Sequence, residues 1–236
     1  MSITDFFSLS GSFEKKTAQS GGIQMASVGL HDHLFNVLSN LVSGPLHVLD
    51  LGAGSGAWGK RLIAAGNTAK GVVLETDMAT CDLECVVGDL SHPFAEKLDE
   101  NFNVVTCIEV LEHIENPRNA FREARKLLKQ GGLFLISTPN ASGVYSRFKF
   151  FVAGRFGMFD DFQYNGIGHI TPLTHWQLEK MFLENGFELV LLDDFDATPR
   201  RIRTLGDVIK RAVWLFRPFM RGHVGTQHII MAGRAK

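Results

Sequence analysis

Between residues 46 and 140, short and nearly continuous apolar runs alternate with stretches of helical period. The runs are LHVLDLG (46–52), KGVVLE (70–75), LECVVGD (83–89), FNVVTCIE (102–109) and GLFLISTPN (132–140), with helical patterns near 57–65 and over 117–129. A strand that is apolar at almost every position must be buried on both faces. Parallel neighbours need a long crossover between them, which the helices supply. The expected fold is therefore α/β, a doubly wound and mostly parallel sheet with helices on both sides.

The flanking segments fit around that unit. Residues 1–28 are polar and rich in Gly and Ser, and read as an arm able to close over a site. LHDHLFNVLSNLVS (30–43) then places Leu30, Leu34, Leu38 and Leu41 at helical spacing. Residues 1–45 are thus an arm and a helix, and 46–236 one domain. After Pro139 the rhythm breaks into an aromatic, Gly-containing segment (141–168). A loop of that length in a compact domain is usually functional or carries small helices of its own, so it reads as a lid over the strand ends. A helix over 174–186, a strand over 187–195, a helical stretch near 203–220 and a closing strand HIIMAGRAK complete the chain.

Composition removes several classes. The formal net charge of -1 supplies no global field for nucleic acid. Cys81, Cys85 and Cys107 form an odd set without a CxxC pair, which argues against a disulfide framework and a zinc ribbon and for reduced thiols in a cytoplasm. The first residues lack a signal-peptide core, and no apolar run approaches the roughly 18 residues that cross a bilayer. The expectation is a cytoplasmic protein, soluble or peripheral at the inner face of the membrane.

LDLGAGSGAWG sets Gly52, Gly54 and Gly56 between a strand and a helix. Glycine there permits a sharp turn and close ligand approach, and the helix N-terminus favours negative charge. Read with Ala57, the string also satisfies GxGxxA, the dinucleotide fingerprint, and Glu75 at the end of the next strand would bind a ribose in either reading. Asp50 tilts the choice, because a carboxylate beside the loop suits a cationic ligand better than a pyrophosphate.

Taken together, HVLDLGAGSG, VVLE, VVGDL, CIEVLEHI and GGLFLISTPN resemble the ordered motifs of class I S-adenosylmethionine (SAM)-dependent methyltransferases. The resemblance runs from about residue 46 to 140. It implies a seven-stranded sheet whose last strand is antiparallel. Gly52, Gly54 and Gly56 would cradle the methionyl part of SAM, Glu75 bind the ribose hydroxyls, and Asp89 with Leu90 border the adenine. One departure is Asn103, where many relatives carry an acid.

CIEVLEHIENP (107–117) raises a second question, since burying two carboxylates and an imidazole is costly unless they are paired. Glu109 falls at a strand end. Glu112 and His113, three and four residues on, can point back to it if a helical turn follows. The string is similar to Glu-x-x-Glu-His in ubiquinone-pathway O-methyltransferases and small-RNA 3'-terminal 2'-O-methyltransferases. That likeness implies a divalent cation such as magnesium on Glu109, Glu112, His113 and the later His169. The competing reading keeps Glu109 beside SAM, has Glu112 cap the turn, and lets His113 line an acceptor pocket without metal. In either case His113 and His169 are the catalytic candidates, as bases toward a hydroxyl acceptor. His175 reads as a surface residue.

Two stretches mix aromatic and basic residues. The lid carries Tyr145, Phe148, Phe150, Phe151, Phe156 and Phe159 with Arg147, Lys149 and Arg155. The other places Arg200, Arg201, Arg203, Lys210, Arg211, Arg217 and Arg221 around Trp214, Phe216 and Phe219, against Asp207 alone. That chemistry suits an anionic membrane surface and a small or lipid-linked acceptor, or equally a lid core with solvated arginines. The overall expectation is a SAM-dependent O-methyltransferase. A nicotinamide-dependent oxidoreductase using GxGxxA and a non-catalytic SAM-binding protein are the alternatives.

Overall fold

The structure is a computed structural model. It describes residues 26–75, 81–196, 208 and 211–236, and the backbone of two short paired strands, Lys16–Thr17 and Ile23–Gln24. The rest of the amino-terminal arm, and Arg200, Arg201, Arg203, Asp207 and Lys210 of the second basic stretch, lie outside the described residues.

Seven strands form one sheet: β1 (His47–Leu51), β2 (Thr68–Val73), β3 (Glu84–Val87), β4 (Phe102–Ile108), β5 (Leu128–Pro139), β6 (Phe187–Phe195) and β7 (His228–Ala235). Their order is β3-β2-β1-β4-β5-β7-β6. The first five are parallel, and β7 runs antiparallel between β5 and β6. The doubly wound, mostly parallel expectation is met, including the reversed final strand.

Helices cover both faces because both are apolar. On one side α1 (Leu30–Leu41) and α2 (Ala57–Ala64) pack Leu30, Leu34, Leu38, Trp58 and Leu62 against Val48, Val104 and Leu135. On the other, α3 (Pro117–Leu127) and α6 (His175–Glu184) meet the sheet through Phe121, Phe134, Phe182 and Phe187, with ring edges set against ring faces. Pro117 occupies the start of α3, where its missing N–H costs nothing. Thr174 and Gln177 close a capping box on α6. Asn103, the departure noted in the sequence, accepts the His47 N–H at 2.9 Å and thereby ties β4 to β1.

The lid folds into two helices of its own, α4 (Val144–Ala153) and α5 (Asp161–Ile167). Asp160 caps α5 by accepting from the N–H groups of Phe162 and Gln163, and it also pairs with the buried Lys149 of α4 at 2.9 Å. Arg147 donates to the carbonyls of Ser142, Arg221 and His223, and Arg155 pairs with Asp161. All three lid cations are therefore held by neighbours within the protein.

One expectation is corrected. Cys81 and Cys85 are joined as a disulfide, and only Cys107, buried in the core, is a free thiol. The bridge ties the loop before β3 to that strand, a local link that an odd count of cysteines does not reveal. There the two sulfurs meet over Gly71, where a side chain would strike Cys85 Sγ.

Candidate active site

In the strand order, β1 lies between β2 and β4, and the crossover direction reverses at the β1–β4 pair. The carboxyl ends of two such strands diverge into a crevice where ligands of α/β sheets bind. Gly52 follows β1 and Glu109 follows β4, so both motifs singled out in the sequence open onto it. The crevice is a cavity of about 690 Å³, ample for a nucleoside-sized ligand with an acceptor beside it.

The glycine loop forms one side. Gly52, Gly54 and Gly56 all have positive φ. A Cβ on Gly52 would lie 2.6 Å from Val110, whereas one on Gly54 would meet nothing within 4 Å. Gly52 is thus demanded by packing, while the space above Gly54 is open for a ligand. Asp50, Gly52, Gly54, Ala57 and Glu109 line the cavity. Asp50 is buried and accepts from Thr106 at 2.8 Å. Burial pushes its carboxyl up to about 7, with the Thr106 bond opposing.

The adenine and ribose candidates stand elsewhere. Glu75 is exposed just beyond β2. Asp89 accepts from the Ser91 N–H and pairs with His92, and Leu90 is buried in the core. None of the three is among the cavity wall residues. Residues 76–80, beside Glu75, are outside the described set.

Glu109 has a φ of 54°, a left-handed conformation that a non-glycine residue keeps only when its surroundings enforce it. Its N–H donates to the Ser137 carbonyl at 3.0 Å, and the Ser137 hydroxyl donates to its carboxylate at 2.9 Å. The other carboxylate oxygen forms an ion pair with Nδ1 of His228, at 2.9 Å. His228 opens β7, is fully buried, and sets its Nε2 2.9 Å from the hydroxyl of Ser27. Burial works against both charges, but pairing prevails: His228 is held above its ordinary value and Glu109 below. Glu109 is therefore engaged by protein groups, which separates it from the other three members of the expected cation set.

Those three are brought together. Glu112, His113 and His169 each offer a ligand atom within 4.8 Å of the others. The turn Leu111–His113 directs Glu112 and His113 inward, and the carbonyl of Glu112 accepts the N–H groups of Ile170 and Thr171, which anchors the segment bearing His169. The imidazoles pack edge to face, 4.8 Å between centroids. Nδ1 of His113 lies 3.2 Å from the Gly168 carbonyl, and Nδ1 of His169 lies 2.7 Å from the Met158 carbonyl. A carbonyl only accepts, so each Nδ1 carries the proton and each Nε2 keeps its lone pair. Burial holds both imidazoles below their ordinary value. Glu112 accepts from Thr138 at 2.9 Å, yet burial, aided by Glu109, drives its carboxyl well above the usual range.

Reading the sequence did not single out His31, Trp58, Ser27, Met158, Phe162 or Ile167 for this cavity, although all line it. A histidine next to Leu30 on an otherwise apolar helix face was the one local signal. His228 gave none, since it arrives from the far end of the chain.

Comparison with known proteins follows the same outline. The family described as "Methyltransferase domain" matches residues 29–192. The ubiquinone biosynthesis O-methyltransferase of Pseudomonas syringae pv. tomato is 32% identical over 102 residues, 39% of this chain and 44% of that protein. This chain thus matches less than half the length of that relative. Among solved structures, a SAM-dependent methyltransferase from Archaeoglobus fulgidus superimposes with a TM-score of 0.61 at 19% identity, covering 87% of this chain and 92% of the other. Magnesium protoporphyrin IX methyltransferase from Synechocystis PCC 6803 with bound SAH gives 0.57 at 16%, covering 89% and 84%. At such identities the likeness concerns the fold.

Proposed function

Because the chain belongs to the methyltransferase-domain family, we propose that it is a SAM-dependent enzyme that transfers the methyl group to a hydroxyl oxygen of a small or lipid-linked compound. The observation that carries this reading is one cavity lined by both the glycine loop and the Glu112–His113–His169 cluster. Donor and base thereby share a single space.

The reaction is an in-line displacement. The acceptor oxygen forms a bond to the methyl carbon, the carbon–sulfur bond breaks with its electron pair returning to sulfur, and the sulfonium becomes a neutral thioether. The protein's first task is alignment with water excluded, which the α5 residues Phe162, Gly166 and Ile167 serve from the lid side. Its second is to receive the hydroxyl proton. His113 and His169 suit this because each has a free Nε2 lone pair and a low tendency to be protonated beforehand. Such a base is worth on the order of 10² to 10⁴ in rate.

As an alternative to the base, the same three side chains can hold a divalent cation such as magnesium, the Nε2 lone pairs then going to the ion instead of to the acceptor's proton. A buried carboxyl and two imidazoles whose Nδ1 sites are held by backbone carbonyls are the usual form of a ligand set. Bound there, the ion would lower the acceptor hydroxyl's pKa.

A lipid-linked acceptor draws support from a patch beside the lid. Phe151, Leu215 and Phe219 are 87%, 77% and 84% exposed, with the exposed Arg217 and Arg221 next to the latter two. Phe148 stacks on Phe216, joining α4 to the Trp214–Phe219 turn. Among the described residues no helix is long and apolar enough to cross a membrane, so we assign the patch to peripheral contact with an anionic surface.

The test is to incubate the protein with methyl-labelled SAM and an extract of its source cells, with and without chelator. Label in the organic phase is the expected result; sensitivity to chelator would favour the ion, and resistance the histidine base. Label only in the aqueous phase would move the acceptor to a sugar, small metabolite or RNA. SAM binding without any transfer would favour a non-catalytic role.

A further inference from the structure

The two bridged cysteines have no role in the reading above, yet the residues between them rest on the glycine loop. The Asp82 N–H donates to the Ser55 carbonyl at 3.4 Å, and the Asp82 carboxylate pairs with Lys60 of α2. Leu83 packs so closely that a Cβ on Gly56 would lie 2.9 Å from it, and it also takes the space a side chain would need at Gly59. Ser55 lines the cavity. Asp82 and Leu83 thus brace a wall of the ligand space.

Those contacts are weak by themselves. A main-chain bond of 3.4 Å is long, and an ion pair with an exposed carboxylate contributes little. The strand that follows gives limited support, because β3 has four residues and stands at the edge of the sheet, paired to β2. The firm restraint is covalent: the Cys81–Cys85 bridge flanks Asp82 and Leu83 on both sides. It also sits close to the loop, since a Cβ on Gly71 of β2 would lie 2.8 Å from Cys85 Sγ and equally from the side chain of Ala53, which lines the cavity. Cys81 and Cys85 are both partly exposed, unlike the buried Cys107, so a reagent in solution can reach them.

Resting on the methyltransferase reading of the crevice, we propose that Cys81 and Cys85 form a thiol–disulfide exchange site whose redox state sets the affinity of the crevice for its nucleoside ligand. The co-reactant is a dithiol reductant. Its thiolate attacks one of the two sulfurs, the S–S bond breaks, and the displaced sulfur leaves as a thiolate that takes up a proton. The second thiol of the reductant then resolves the mixed disulfide and frees the other cysteine. Two electrons and two protons pass to the protein, and the reductant becomes a disulfide. With the bridge closed, Asp82 and Leu83 are held on the loop. With it open they depend on the weak contacts alone, and affinity falls with the fraction of chains in which the loop stays braced.

The experiment is calorimetric titration with S-adenosylhomocysteine before and after dithiothreitol, with thiols counted in denaturant by a chromogenic disulfide reagent. Protein prepared without reductant should show one thiol, Cys107, and the reduced protein three. Reduction should weaken S-adenosylhomocysteine by about tenfold, the effect of leaving roughly one chain in ten braced, and reoxidation should restore it. Cys81→Ser combined with Cys85→Ser should bind as the reduced parent does and be indifferent to dithiothreitol. The reversible change in the parent carries the test should that double variant fail to fold. Three thiols before reduction, or equal affinity in the two redox states, would overturn the exchange site while leaving the methyltransferase reading intact. A parent that binds S-adenosylhomocysteine in neither state would overturn both.

Discussion

The two sides of the cavity are built in different ways. The glycine-loop side is local: Asp50, Gly52, Gly54, Ala57 and Trp58 come from one strand–loop–helix run of nine residues. The acceptor side is assembled from distant pieces, with Glu112 and His113 from the turn after β4, His169 from the end of the lid, and Glu109 braced by His228 from the last strand. A local unit holds its shape through backbone geometry, whereas an assembled one depends on tertiary contacts. A ligand common to a whole family suits the first, and an acceptor that differs among members suits the second.

That division can be broken by mutation. The largest effect should come from His169→Ala, which removes a lone pair from the assembled side: turnover should fall by about 10²- to 10⁴-fold. Affinity for S-adenosylhomocysteine should stay near that of the parent. A parallel loss of affinity would mean that the two sides are not separate. Gly54→Val should do the reverse, eliminating S-adenosylhomocysteine binding in calorimetry because the open space above Gly54 is filled. Unchanged affinity would remove the loop from the cofactor site.

A smaller effect sharpens the local side. Asp50 is an acid held up to about 7, so in the empty protein it is largely protonated below that pH and ionised above it. Pairing with a cationic ligand, the role the sequence gives Asp50, requires the ionised form. Affinity for S-adenosylhomocysteine should therefore fall as pH drops from 8 to 6, by about tenfold at most for each pH unit below 7. Asp50→Asn should flatten that profile, and a parent profile flat across this range would refute the assignment. Smallest should be the change from replacing Arg217 and Arg221 with Glu. Loss of about 1 kcal/mol per charge at an anionic surface should reduce sedimentation with phosphatidylglycerol vesicles. No vesicle binding by the parent would end the peripheral-contact reading.

The same contrast explains what could be read in advance. Positions of the central strands followed from apolar runs, because burial on both faces writes itself into consecutive residues, and β6, an edge strand with alternating exposure, was placed at its observed limits. Glu112 and His113 were legible through their spacing, and His169 through a likeness carried by motif order. The Glu109–His228 pair was not legible. Its partners are brought together by the antiparallel return of β7 beside β5, which no local pattern encodes. The lid cations misled for a similar reason. In sequence Lys149 and Arg147 suit an anionic surface, or the arginine plain solvent, but Asp160 and three backbone carbonyls take them up. Trp58 and His31 were given no role from the sequence, and only the fold shows that both line the cavity.

The proposed function makes this crevice a SAM site and not a dinucleotide site, although the glycine string satisfies both patterns. Calorimetry of the parent protein with S-adenosylhomocysteine and, separately, with NADH tests it most directly. One S-adenosylhomocysteine should bind per chain, with no heat from NADH. NADH binding, with S-adenosylhomocysteine failing to bind, would contradict it.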